Sequence, residues 1–272
     1  LGKGSCSYKL SFSQLGMSKS REYIIVAVIA SVLLLPFAFL IFRITAFGTM
    51  PFDDYYSPIL RIDNKLPGFE PWSPTCYRFG YIYTGYLFYK IFPLIELSQM
   101  PFESKGSDYL KAIQGLSLAS FGYLYLFILL TYIYVRQFLE KNIIHAIAVA
   151  GIVFFLSLNT AFWGADTMYL FYSLLLLISF PNWKAFPFLM LASPLVNEKI
   201  PLFFFLFFVL SLLFGQRDKQ VIRGMIFSML AIGIYFLIRT SLNYPGYEYQ
   251  TKFSEFFTRF GSAWNYAMTA KG

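Results

Sequence analysis

Tyr23–Phe42 runs for twenty residues without a charged side chain, and similar runs recur along the chain. A helix needs about 20 mostly apolar residues to span a hydrocarbon layer of ~30 Å. Such runs fix the solvent before they fix the fold. Ala112–Val135 is a second run, closed by Arg136. Ile143–Ala165 is a third, with His145 near one end and Asn159 near the other. Val221–Ile238 is a fourth, edged by Arg223 and Arg239. Only 13% of the 272 residues are charged, while 57% are hydrophobic and 21% aromatic. A soluble domain carries about 25% charged residues, so a water-facing surface could not be built from this chain. Intrinsic disorder, a disulfide scaffold and a collagen-like fibre are excluded by the same composition.

The first run follows Lys19 and Arg21 and exceeds the 7–15 apolar residues of a cleavable signal, so it reads as a retained anchor. The middle of the chain is less regular. Thr167–Phe180 is apolar but gives only about 21 Å of helix. Ala185–Phe214 is interrupted by Asn197-Glu198-Lys199, with Pro194 and Pro201 on either side. One straight helix would place two charges near the bilayer centre, at about 2.5–3.5 kcal/mol each. Two short helices meeting at a turn avoid that cost, and the prolines favour them.

Positive charge assigns the sides. If Phe79–Leu97, which holds Lys90 and Glu96, lies along the surface, then segments 1–22, 136–142, 181–184 and 215–223 share one side. They hold ten basic residues against Glu22, Glu140 and Asp218. Lys and Arg in short loops mark the cytoplasmic side. Eleven of the fourteen acids then fall on the other side, among them Asp53, Asp54, Asp166 and Glu198.

The expected class is therefore all-α: a polytopic transmembrane bundle of about seven crossing or partly crossing helices. Its parts are a cytoplasmic tail (1–22), a first span (23–42), a non-cytoplasmic loop with a surface helix (43–111), a bundle with short middle helices (112–238) and a non-cytoplasmic amphipathic tail (239–272). Within that tail, Phe253–Met268 shows aromatic residues at helical spacing.

The long first loop opens with Thr49-Met50-Pro51-Phe52-Asp53-Asp54-Tyr55-Tyr56-Ser57-Pro58, followed by Pro67-Gly68-Phe69-Glu70-Pro71-Trp72-Ser73-Pro74. Adjacent carboxylates repel, and one ionised Asp at a lipid boundary suits a general base. Arg61, Arg78 and Lys199 are candidates to hold a phosphate leaving group. The competing reading is that Asp53 or Asp54 caps a short helix beginning near Tyr55. Likewise Asp166 reads as a helix cap after Trp163-Gly164-Ala165, and Glu198 and Lys199 as a pair serving only their turn.

A long outer loop with an acidic pair just after the first span resembles the GT-C superfamily of membrane glycosyltransferases. The proline-rich turns, Tyr81-x-Tyr83-x-Gly85-x-Leu87, Lys111 at the next span and the Glu198-Lys199 turn are also similar, over roughly residues 20–240. The resemblance implies a polyprenyl-phosphate-sugar donor, an acceptor hydroxyl yet to be identified, and inversion in one displacement. Asp53 or Asp54 would be the base, while Arg61, Arg78, Asp166, Glu198 and Lys199 would line the substrate site. Members are usually longer, and this chain opens on Leu1, so a partial or short member is expected.

No cofactor is implied, and nothing indicates a divalent metal. Cys–His zinc spacings, a Gly-rich phosphate loop and a Ser/His/Asp arrangement are all missing from the sequence. His145 reads as structural or interfacial. Cys6 and Cys76 fall on opposite sides and cannot pair. The expected partners are the lipid-linked sugar, its acceptor and the bilayer, without nucleic acid. The absence of an Asn-x-Ser/Thr sequon fits a multi-pass protein of a bacterial inner membrane with a non-cytoplasmic active face. Two rival readings remain: a flippase or transporter with Glu198 and Lys199 as coupling groups at a broken helix, and an assembly subunit without a site.

Overall fold

The computed structural model describes residues 19–47, 53–65, 78–93, 107–139, 143–157, 166–182, 184–215 and 218–241. The expectations for the tail 1–18, Cys6, Cys76, the run Pro67–Pro74, Trp163–Ala165 and Phe253–Met268 lie outside these residues. So do those for the side chains of Asp53 and Asp54. Every regular element among the described residues is helical: α1 (Lys19–Phe47), α2 (Asp53–Ile62), α3 (Phe79–Ile91), α4 (Ser107–Tyr134), α5 (Ile143–Ser157), α6 (Asp166–Ser179), α7 (Ala185–Ala192), α8 (Lys199–Leu213) and α9 (Lys219–Ser241). A π-helical turn, Val135–Leu139, extends α4, and a 3₁₀ turn, Ser193–Leu195, follows α7.

Two described helices are long and apolar enough to cross a membrane, Ser107–Leu139 and Lys219–Ile238. The outward faces of other helices are apolar as well. Val28, Val32 and Leu35 on α1, Ile152 and Phe155 on α5, and Phe203, Leu206 and Leu210 on α8 are all exposed. Helices apolar on the face turned inward and again on the face turned outward suit a lipid surrounding. The protein is membrane-associated.

α4 is the axis against which α1, α2, α3, α5 and α6 pack. α1 runs antiparallel to it. At one end Glu22 accepts hydrogen bonds from Arg136 Nε at 2.7 Å and Nη2 at 3.2 Å, and from the Tyr132 hydroxyl. Further along, about two turns up α4 from Tyr132, Tyr125 donates to the Ala27 carbonyl at 3.3 Å. A carboxylate gripped by a guanidinium fork is a strong pairing, and it holds the Glu22 and Arg136 ends together, as the charge grouping requires.

α3 also runs antiparallel to α4, along its other half. The Tyr81 hydroxyl reaches the Leu116 carbonyl at 3.0 Å and Ser120 Oγ at 2.7 Å, while Tyr89 reaches Asp108 at 3.3 Å. Of the helix expected over Phe79–Leu97, Phe79–Ile91 is present, and it lies along α4. Its inward face is Tyr81, Ile82, Gly85 and Tyr89. The backbones touch where two glycines meet: a Cβ on Gly115 would stand 2.6 Å from the Gly85 carbonyl oxygen.

From the Arg136 end a second group of short helices rises. α6 runs parallel to α4, with Phe171 against Tyr123 at 5.6 Å between ring centroids. α7 and α8 form a hairpin whose base is an aromatic cluster, Phe180, Phe186 and Phe208, and whose apex is Ser193–Glu198. The break expected at Asn197-Glu198-Lys199 is present. α9 closes the hairpin, its Gly224 lying directly beneath the Phe208 ring.

Candidate functional site

The two groups of elements meet partway along α4. α3 comes from the Asp108 end with Arg78 just before its first turn. The α7–α8 hairpin comes from the opposite end with Glu198 at its apex. Arg78 donates to Glu198 through Nη2 at 3.2 Å and Nε at 3.5 Å, and the two side chains are 11% and 21% exposed. Removing one partner from so sheltered a pair leaves an uncompensated charge, which is the costly way to break it. Glu198 therefore pairs with Arg78, and Lys199 stands exposed on the first turn of α8.

Two further elements come to this level. Gly80 packs against the Met168 side chain, which brings the first turn of α6 close to the start of α3. α2 runs parallel to α3 and in step with it. Ile59 lies over Gly85, and Asp63 meets Tyr89 and Lys90. Stepping back six residues from Ile59 and from Gly85 reaches Asp53 and Phe79, so the first turn of α2 points to the Arg78 end. Arg61 does not share this level. It lies in the last turn of α2, about 12 Å of helix from Asp53. Of the three cations expected to hold a phosphate, Arg78 meets the residue next to Lys199 in sequence, while Arg61 lies toward the other end of α2.

The apex itself is well fixed. Asn197 is buried, and its Oδ1 accepts the backbone N–H of Lys199 at 2.9 Å, closing the start of α8. Its backbone N–H, like that of Val196, donates to the Ser193 carbonyl at 3.0 Å. An Asn just ahead of an apolar run is a recognisable helix-start signal, and it could have been read from the sequence.

A second polar cluster lies about 18 Å further along α4, where α2, α3 and α4 end together. Asp63 accepts from Lys90 and, at 2.9 Å, from the Tyr89 hydroxyl; Asp108 accepts from Tyr89 at 3.3 Å and from Lys65 at 3.4 Å. The Lys111 ammonium sits 4.9 Å from the Tyr89 ring centroid, within cation–π range. The hydrogen bond from Lys90 holds the Asp63 carboxyl below its ordinary value, and the same bond pushes Lys90 up. Burial, then Asp63 and Asp108, push the Tyr89 hydroxyl up. Asp63 thus contributes stability above the ordinary aspartate value of 3.8, lost as pH falls through its lower folded value. Asp63→Asn is expected to lower the unfolding temperature by about 2–4 °C at neutral pH, with the gap to the native chain closing below the aspartate range. An equal gap at both pH values, followed by scanning calorimetry in detergent, would show that the charge contributes nothing. The partners are 27 residues or more apart for Asp63–Lys90, and no local pattern in the sequence joins them.

Among the described residues no group of three or more His, Cys, Asp or Glu side chains is placed to hold a metal. His145 is exposed on α5. Compared with known proteins, the chain matches no family model, no curated protein and no solved structure.

Proposed function

We propose that the protein is a multi-pass membrane glycosyltransferase of GT-C type that takes a sugar from a polyprenyl-phosphate carrier on the non-cytoplasmic face. The observation that supports this most is the meeting of Arg78, Glu198, the Asp166 end of α6 and the first turn of α2 at one level of α4. With Arg136 at the inner edge of the bilayer, a ~30 Å hydrocarbon layer reaches about as far as Leu116. Arg78 and Glu198 then sit just within the outer boundary, where a lipid carrier presents its phosphate. Among the described residues α6, the hairpin and α8 all stop short of that boundary.

The chemistry is a single displacement. A carboxylate of Asp53 or Asp54 removes the proton of the acceptor hydroxyl as its oxygen bonds to the anomeric carbon. The bond from that carbon to the phosphate oxygen breaks, and its electron pair leaves with the lipid phosphate. The carrier gains one negative charge, which Lys199 offsets while Arg78, paired with Glu198, donates hydrogen bonds to the phosphate. The proton passes from the Asp to water. Because Glu198 already neutralises Arg78, the donor phosphate meets a guanidinium held in place and not a free cation.

The protein in vesicles is expected to move label from polyprenyl-phosphate sugars to a hydroxyl acceptor. A folded native chain that transfers none of a panel of such sugars would remove the reading. The helix break at Ser193–Glu198 favours one other function, a carrier with its coupling site at broken helices. Movement of labelled lipid-linked sugar between leaflets without an acceptor would decide for that alternative.

A further inference from the structure

Asn197 is 1% exposed, and its Nδ2 has no hydrogen-bond partner among the described residues. The bond from the Lys199 N–H to Oδ1 fixes the amide's orientation, since the reverse would set two donors face to face. Closing a helix start requires only the oxygen. Asp serves there as well as Asn, with the helix dipole favouring its charge. The chain therefore carries an amide nitrogen that the cap does not use, in a rigid apex adjoining Glu198 and its partner Arg78.

We propose that Asn197 is a further substrate-binding residue whose Nδ2 donates to an oxygen of a phosphate group bound at the Arg78–Glu198 pair. In the glycosyltransferase reading, on which this inference rests, the group is the phosphate of the lipid-linked donor. An amide N–H suits that place: it adds a directed donor without adding a charge to a pair already balanced. A buried donor is costly when unmet, so a phosphate oxygen that meets it is selected over a group lacking an acceptor.

The test is Asn197→Asp and Asn197→Ser in the full chain in nanodiscs, titrated with polyprenyl monophosphate and separately with inorganic phosphate. Unfolding temperature is followed alongside. Aspartate keeps the cap oxygen but buries a carboxylate beside Glu198. It is expected to lower the unfolding temperature as well as weaken polyprenyl monophosphate binding about ten-fold or more. Serine, which keeps a cap and a smaller donor, is expected to fall between in affinity and is the variant that separates binding from folding. Inorganic phosphate showing the same ranking assigns the contact to the phosphate itself; a ranking seen only with the lipid assigns it to the carrier's headgroup. Native affinity in both variants would overturn the role of Asn197 and leave the transferase reading standing. A native chain that neither binds polyprenyl monophosphate nor transfers sugar would overturn both.

Discussion

Gly115→Ala is expected to destabilise the protein by about 2–3 kcal/mol, and Gly115→Val to prevent stable accumulation altogether. The added Cβ would stand 2.6 Å from the Gly85 carbonyl oxygen, 2.9 Å from the Tyr89 nitrogen and 3.2 Å from the Tyr89 Cα. All three are backbone atoms of α3, so no side chain can turn aside. Relief requires α3 to move off α4, which would pull on the bond from Tyr81 to Ser120 and on the contacts of Tyr89 with Asp63 and Asp108. Gly85→Ala is expected to cost less, because its Cβ meets the flexible ends of Leu116 and Ile59. Gly122, on the same helix, has nothing within 4 Å of its Cβ position. There alanine gains helix propensity, up to about 1 kcal/mol. Unfolding midpoints in one detergent would rank the three variants. Equal midpoints for the Gly115 and Gly122 alanines would mean that the α3–α4 contact is not close-packed.

This interface also marks where sequence reasoning stops. Long uncharged runs and proline-flanked charges located the helices well, because both follow from the solvent and from backbone chemistry that acts locally. The apolar stretch Ala185–Phe214 was divided at the right residues for that reason: Pro194 and Pro201 flank the break, and Asn197 closes the new helix start. The placement of α3 was not legible in the same way. Nearly all of its positions are apolar or aromatic, so composition alone does not say which element its inward face, Tyr81, Ile82, Gly85 and Tyr89, packs against. In a chain with apolar residues on both sides of a helix, hydrophobic periodicity loses its contrast. Small residues at close crossings carry the information instead. The Arg78–Glu198 pair joins residues 120 positions apart, and only the meeting of α3 with the hairpin apex brings them together. The Glu22–Arg136 pair was closer to reach. Opposite charges at the same-side ends of the first two runs invite pairing once the sides are assigned.

Of Asp53→Asn and Asp54→Asn, one is expected to lose about 10²–10⁴ in kcat for sugar transfer and the other little. A single displacement needs one base, so in the proposed reading the other carboxylate is dispensable. Asparagine is the discriminating replacement because it caps a helix start about as well as aspartate. If Asp53 or Asp54 only begins α2, exchange for Asn leaves folding and transfer alike nearly unchanged. If one of them is the base, folding is kept while the proton acceptor is lost, and KM for the donor stays within a few-fold because the phosphate contacts proposed above lie at the start of α8 and before α3. A fall in kcat that is shared equally by both variants and accompanied by lower unfolding temperatures would point to the cap. Native rates in both variants, with the native chain active, would remove the acidic pair from the chemistry and turn attention to Asp166 in the first turn of α6.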